Sequence, residues 1–379
     1  MSVSAVLLLA LAAAGCAPAS APGSGSGSGP GPGGEDSAKN WQQASEKIVE
    51  QTLADEGIPG AAISATRDGE AWEFVTGEAD TESKTPVEPG TPFAYRSITK
   101  SFTGTAILML VDKGEIGLDE PVATYVEGVP SGDLVTIRML LGMRSGLPEY
   151  TMSERFQALL NQDPTREWSD SEILELAFQQ PMAFDPGTQY KYTNTNTVVL
   201  GQVLESVRGR SWSTVVDEML LGPLKLDSVD YPDNRAKPEG TAVPYQVHEN
   251  DELETLPDVR ASLFSAAGGL FGTVGDLRTW AAALGSAQLL QPKTADERFA
   301  HASPTEGDPT SPLYDQYGLG MGEFHGWIGH TGVGLGYQAL AMYHPDTGDS
   351  IAIVMNGAGA DPDVPAKMFE KLLAEWDEK

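Results

Sequence analysis

Three short stretches hold residue types whose spacing can do chemistry, and each pattern occurs once in the 379 residues. The first is Ser97-Ile98-Thr99-Lys100. The apolar run at 102–111 reads as a buried helix, which puts Ser97 at its start and Lys100 one turn later on the same face. A serine hydroxyl is a weak nucleophile until a base takes its proton. A lysine desolvated near the positive end of a helix has its pKa lowered and can act as that base. The second stretch is Tyr192-Thr193-Asn194. Its phenol can relay a proton between nucleophile and leaving group, and its amide can hold a substrate carbonyl and orient Lys100. The third is His330-Thr331-Gly332. A glycine on a strand beside a site lets a substrate backbone approach closely, and the backbone N–H groups beyond it can supply an oxyanion donor. Taken singly, each has a plain alternative: a capping serine before a surface lysine, a turn tyrosine with a capping asparagine, a strand end.

These side chains need elements to position them. Residues 41–56 have helical spacing. Residues 60–66 and 71–76 read as strands joined across Arg67-Asp68-Gly69-Glu70, a hairpin signal. Helical patterns follow at 169–180, 196–207, 212–221 and 274–284, and Tyr192 falls on the loop before the second of these. Strands are expected at 317–321, 327–331, 337–344 and 350–356, the last two flanking the turn Pro345-Asp346-Thr347-Gly348, and a closing helix at 364–376. The order predicts one α/β (α+β) unit over 40–379, interrupted by a mainly helical region at roughly 115–260.

Composition narrows the function. There are 54 acidic and 24 basic residues, a net charge of −30. Nucleic-acid binding needs a basic footprint, and no Lys/Arg cluster is present, so no nucleic-acid partner is expected. The single cysteine, Cys16, excludes an internal disulfide and a Cys-based metal site. The five histidines form no recognisable ligand pair, so no metal and no cofactor is expected. An α/β-hydrolase elbow would need G-x-S-x-G, which the chain lacks.

The first 16 residues resemble a secretory signal peptide, with an apolar stretch too short to span a bilayer. The ending Ala13-Ala14-Gly15-Cys16 resembles a bacterial lipobox, which would make Cys16 the lipidation site. Residues 17–39, rich in Gly, Ser and Pro, read as a flexible tether reaching roughly 25 Å. Leader and tether together predict a lipoprotein on the outer face of a bacterial cell membrane, or a secreted protein if the leader is simply cleaved.

S-x-x-K, Y-x-N and H-T-G in this order resemble the serine β-lactamase and penicillin-binding-protein-like family. The H-T-G version looks most like its D-alanyl-D-alanine carboxypeptidase branch, with the related class C β-lactamases, esterases and D-amino-acid amidases. The resemblance covers about residues 42–375 and includes Ser145-Gly146-Leu147, Pro186-Gly187 and Gly268-Gly269-Leu270. It implies a β-lactamase/transpeptidase-like fold: an antiparallel sheet flanked by helices, with an inserted mainly helical subdomain. It further implies that Ser97 is the acyl-accepting nucleophile and that Lys100 and Tyr192 share base and acid duty. Asn194 would contact the acyl-side amide, and His330 would take the place of the third-motif cation and tune Tyr192. Ser97 and Val333 N–H groups would form the oxyanion hole, with Thr331 and Gly332 lining the substrate site. The expected partner is a small molecule or a peptidoglycan peptide.

Two departures bear on the substrate. The resemblance implies a carboxylate-gripping arginine soon after the Tyr-Gly-Leu-Gly strand. Here Tyr317-Gly318-Leu319-Gly320 is followed by Met321-Gly322-Glu323. The hydroxyl residue often found after the third-motif glycine is Val333. Losing such donors removes much of a site's discrimination for an anion, so the sequence favours general ester or amide hydrolysis, unless Arg144 or Arg260 substitutes. A non-catalytic sensor module would be marked by a lost motif residue, and all three motifs are intact.

Overall fold

The computed structural model describes residues 34–233, 237–250 and 252–377. The expected signal peptide, Cys16 and most of the tether lie outside them. In chain order come α1 (Gly34–Glu56), the hairpin β1 (Gly60–Arg67) and β2 (Glu70–Asp80), short strands β3 (Thr85–Pro86) and β4 (Phe93–Ala94), and α2 (Thr99–Asp112). Helices α3 (Ile137–Leu141), α4 (Glu154–Gln162), α5 (Asp170–Phe178), α6 (Asn194–Arg208), α7 (Trp212–Val216) and α8 (Gly222–Leu224) follow. Strands β5 (Tyr245–Val247), β6 (Leu253–Thr255) and β7 (Phe271–Gly272) lead to α9 (Val274–Gly285) and α10 (Pro292–Ala300). The chain closes with β8 (Ser303–Pro304), β9 (Gln316–Tyr317), β10 (Gly322–Phe324), β11 (Trp327–Gly334), β12 (Tyr337–Tyr343), β13 (Ser350–Met355), β14 (Gly357–Ala358) and α11 (Val364–Asp377).

The main sheet has nine strands in the order β3-β2-β1-β13-β12-β11-β10-β9-β8, antiparallel throughout. The N-terminal hairpin joins the C-terminal strands where β1 pairs with β13, so the helical segments are looped out between the two parts of the sheet. Period-two alternation assigns each strand two faces. Ala62, Ala339, Ala341, Ala352 and Val354 face the layer of α2 and α9. Ile63, Leu340, Met342, Ile351, Ile353 and Met355 face α1 and α11. The small residues on the first face let helices approach closely.

Helix α2 is buried nearly all round, as its lack of a polar stripe requires. Phe102 stacks on Trp280 of α9 at 3.7 Å between centroids, and the Trp280 Nε1–H donates to Ser101 Oγ at 2.9 Å. Gly104 abuts Gly320: a Cβ on Gly104 would come within 3.3 Å of the Gly320 Cα.

Two expectations need correction. The tether was to reach residue 39, but α1 already begins at Gly34. The strand expected over 317–321 stops at Tyr317. Gly318 is pressed against the Arg298 carbonyl and Gly320 takes φ +77°, so the chain turns there and pairing resumes at Gly322.

Candidate active site

The turn carrying Ser97 is one 3₁₀ turn, Arg96–Ile98, running into α2. Neighbours pin it: Tyr95 N–H donates to the Leu270 carbonyl at 2.9 Å, and Leu270 N–H donates to Thr99 Oγ1 at 3.2 Å. Lys100 points from the first turn of α2 toward Ser97 and is buried. Its Nζ lies 2.9 Å from Ser97 Oγ, 2.7 Å from Asn194 Oδ1 and 2.9 Å from the Ala267 carbonyl oxygen. Burial lowers its pKa to about 7, against an opposing pull from Glu149. A large share of the amine is therefore neutral at pH 7. A neutral amine has two protons and one lone pair. Asn194 Oδ1 and the Ala267 carbonyl can only accept, so they take both protons. The lone pair is left for the Ser97 hydroxyl proton.

Asn194 opens α6, and Thr193 ahead of it caps the helix without a side-chain bond. Glu149 supplies the missing cap. Its carboxylate accepts from Asn194 N–H at 2.5 Å, from Thr193 Oγ1 at 3.0 Å and from Asn194 Nδ2 at 3.2 Å. A carboxylate at a helix N-terminus is favourable, and here it also turns the amide so that Oδ1 faces Lys100.

Tyr192 lies over the same groups, with Lys100 Nζ 5.1 Å from its ring centroid. Its hydroxyl is buried and makes no hydrogen bond of ordinary geometry. Burial pushes the phenol well above its usual pKa, with nearby Ser97 acting in the opposite sense. It is a protonated phenol at neutral pH.

His330 is fully buried on β11, and burial, with the Lys100 charge next, lowers its pKa to about 3. It is therefore neutral and does not supply the positive charge that the resemblance implies. Its Nδ1 lies 2.6 Å from the Thr331 carbonyl, an acceptor, so Nδ1 carries the proton; Nε2 then accepts from the Tyr317 hydroxyl at 3.1 Å. Tyr314 ties down Thr331, accepting from its N–H at 2.7 Å and meeting its Oγ1 at 2.9 Å. Gly332 lets β11 touch the Ser97 turn: a Cβ there would collide with the Tyr95 carbonyl and lie 3.2 Å from Ser97 N. Val333 follows, 39% exposed.

The structure thus brings Ser97, Lys100, Tyr192, Asn194, His330 and Gly332 to one place. Sequence reading missed Glu149, the Ala267 carbonyl, Tyr314 and Tyr317. Three had a signal: Glu149 lies two residues past the flagged Ser145-Gly146-Leu147, Ala267 directly precedes Gly268-Gly269-Leu270, and Tyr317 opens Tyr317-Gly318-Leu319-Gly320; Tyr314 had none. Neither arginine offered as a substitute cation is spare. Arg144 donates to Ser303 Oγ and the Gly187 carbonyl, and Arg260 is engaged. Glu323 accepts from Gln316. A separate cavity of about 460 Å³, lined by Arg67, His325, Trp327, His344 and Trp376 among others, contains none of these groups.

A model of the beta-lactamase family matches residues 46–375. Protein flp of Staphylococcus aureus (strain N315) is 24% identical over 325 residues, covering 83% of this chain and 63% of that protein. The chain therefore spans less than two thirds of the length of that curated relative. Esterase EstB of Burkholderia gladioli is 31% identical over 210 residues, covering 52% of this chain and 53% of the esterase. Among solved structures, a D-stereospecific amidohydrolase from Streptomyces sp. superposes with a TM-score of 0.74 at 28% identity, over 90% of this chain and 99% of that one.

Proposed function

This chain belongs to the beta-lactamase family of serine hydrolases, and we propose that it hydrolyses small esters and amides lacking a recognised carboxylate, amides of D-configured acyl groups among them, through an acyl-enzyme on Ser97. The observation that carries the reading is the set of partners around Lys100: two obligate acceptors and the Ser97 hydroxyl. Lys100 takes the Ser97 proton as Oγ attacks the acyl carbon. Ser97 and Val333 N–H groups hold the oxyanion, a form of stabilisation worth roughly 3–4 kcal/mol per donor in hydrolases. The proton passes through the Tyr192 hydroxyl to the leaving alcohol or amine as its bond to the acyl carbon breaks. Water then attacks the ester, giving its proton back along the same pair, and Ser97 leaves as the hydroxyl. Tyr192, protonated at rest, suits the donor role better than the base role.

The engagement of both arginines offered as substitute carboxylate ligands supports the substrate class. Among the described residues Arg144 and Arg260 are engaged, Glu323 follows the Tyr-Gly-Leu-Gly stretch, and the residue after Gly332 is apolar. An ester-cleaving relative and a D-stereospecific neighbour point the same way. The test compares an N-acyl-D-alanyl-D-alanine peptide with the same peptide amidated at its C-terminus, alongside 4-nitrophenyl acetate. The amide and the ester should turn over at least about 100-fold faster than the free acid. Preference for the free acid would instead make the protein a D,D-carboxypeptidase.

The same proposal places the enzyme outside the cytoplasm, tethered through a lipid on Cys16. Cys16→Ala should release it from the membrane fraction; unchanged fractionation would count against the anchor.

A further inference from the structure

Arg96 precedes the nucleophile and is buried beside it. Its φ of +49° lies in the left-handed region that side-chain-bearing residues seldom occupy, and strain of this kind gathers at functional sites. No carboxylate pairs with the guanidinium among the described residues. Nε–H donates to the Gly334 carbonyl at 2.9 Å. The guanidinium carbon sits 4.6 Å from the Phe264 ring centroid and 4.9 Å from that of Tyr337. Nη1 is buried without a hydrogen-bond partner. Burial lowers the pKa only to about 10, so the group stays charged at neutral pH. Aromatic faces attract a cation without cancelling its net charge.

The side chain runs beneath β11. A Cβ on Gly332 would lie 3.1 Å from Arg96 Cβ, and one on Gly334 would lie 3.9 Å from Arg96 Cδ. Val333, the second oxyanion donor, stands between those two glycines. We infer that Arg96 is a positioning residue for acyl transfer: it fixes the end of β11 against the Ser97 turn, so that both oxyanion donors converge, and it keeps an unneutralised positive charge beside the negative charge that develops there. In a desolvated site such a charge acts far more strongly than in water. This rests on the acyl-enzyme reading above. Arg298 is the internal control. It too is buried without a carboxylate among the described residues and has an orphan nitrogen, Nε, but it donates to the Leu284 carbonyl at 3.2 Å and to Thr105 Oγ1 at 2.7 Å, two turns along α2 from Ser97.

The experiment compares Arg96→Met, Arg96→Lys and Arg298→Met in the full chain. It reads kcat and KM for 4-nitrophenyl acetate, Ki for phenylboronic acid, and Tm. The boronate's tetrahedral serine adduct carries the negative charge in question. Arg96→Met should lower kcat roughly 10- to 100-fold and weaken the boronate by a similar factor, with KM within about threefold. Arg96→Lys should recover most of that loss. Arg298→Met should lower Tm while keeping kcat within about threefold. An Arg96→Met enzyme with unchanged kcat and Ki, a Lys variant as poor as Met, or an equal kcat loss in Arg298→Met would overturn the inference. Should Arg96→Met fail to fold, Arg96→Gln against Arg96→Lys makes the same comparison. Wild type that forms no acyl adduct by intact mass sinks the acyl-enzyme reading itself, whereas equal acylation by wild type and Arg96→Met sinks only the role of Arg96.

Discussion

The two faces of the nine-stranded sheet are built from the same strands and do opposite things. The face toward α1 and α11 is filled with large apolar side chains, among them Ile353, Leu340, Phe369 and Trp376. Arg67 stays at its rim, stacked 5.5 Å from the ring centroids of Trp41 and Trp376. The face toward α2 buries Lys100, Arg96 and His330. Their partners are carbonyls, hydroxyls, an amide and aromatic rings, with Glu149 reaching Lys100 only through Asn194. On β11 that face presents His330, Gly332 and the backbone of Gly334 where bulky residues would otherwise pack. Desolvation destabilises charge wherever it occurs. On the apolar face it is avoided. On the face toward α2 it is held in place, and it lowers the Lys100 pKa to about 7.

The sharpest way to break this contrast is to remove the groups that use it. Ser97→Ala should reduce turnover by about 10⁴-fold or more, and Lys100→Met by a comparable factor, with the fold retained by circular dichroism. If Lys100→Met kept a substantial fraction of activity, the buried amine would not be the base.

A smaller and more specific effect concerns pH. Lys100 must be neutral to accept the serine proton, so kcat/KM should rise with pH through about 7. The groups facing Lys100 are Ser97, Asn194, the Ala267 carbonyl, Tyr192, His330 and, behind Asn194, Glu149. His330 titrates near 3 and cannot produce that limb. Glu149 favours the charged amine, so Glu149→Gln should move the acid limb to lower pH while lowering kcat roughly 10-fold through a loosened Asn194. A limb that stays put or moves upward would reject the coupling.

On the opposite face the expected effect on chemistry is smallest. Phe369→Ala should remove about 3–5 kcal/mol of stability by leaving a cavity, yet keep kcat/KM within about threefold well below the melting temperature. A large kcat loss without unfolding would show that the two faces are not separable.

Much of this was written locally. Spacing placed the strands β1, β2, β11, β12 and β13 and the helices α2, α5, α6, α9 and α11 to within a few residues, because period-two and period-3.6 apolar patterns are properties of short segments. The helix after Ser97 and the i, i+3 relation to Lys100 are likewise local. The turn at Gly318–Gly320 was misread as strand because what forbids a strand there is the Arg298 carbonyl and Gly104, distant in sequence.

The sequence by itself determined the chemical groups available, Ser97 with Lys100 one turn away, Tyr192 with Asn194, and a glycine-bearing strand at His330. Tertiary structure alone decided their states. Burial among α2, α6 and β11 sets the Lys100 pKa, holds His330 neutral and keeps Tyr192 protonated. Glu149 reaches Asn194 from 45 residues away, and Arg96 meets Phe264, Phe271 and Tyr337 only when the sheet closes over the Ser97 turn. A pKa depends on everything that excludes water around a group, and the packing that excludes it is contributed by segments that no local pattern connects.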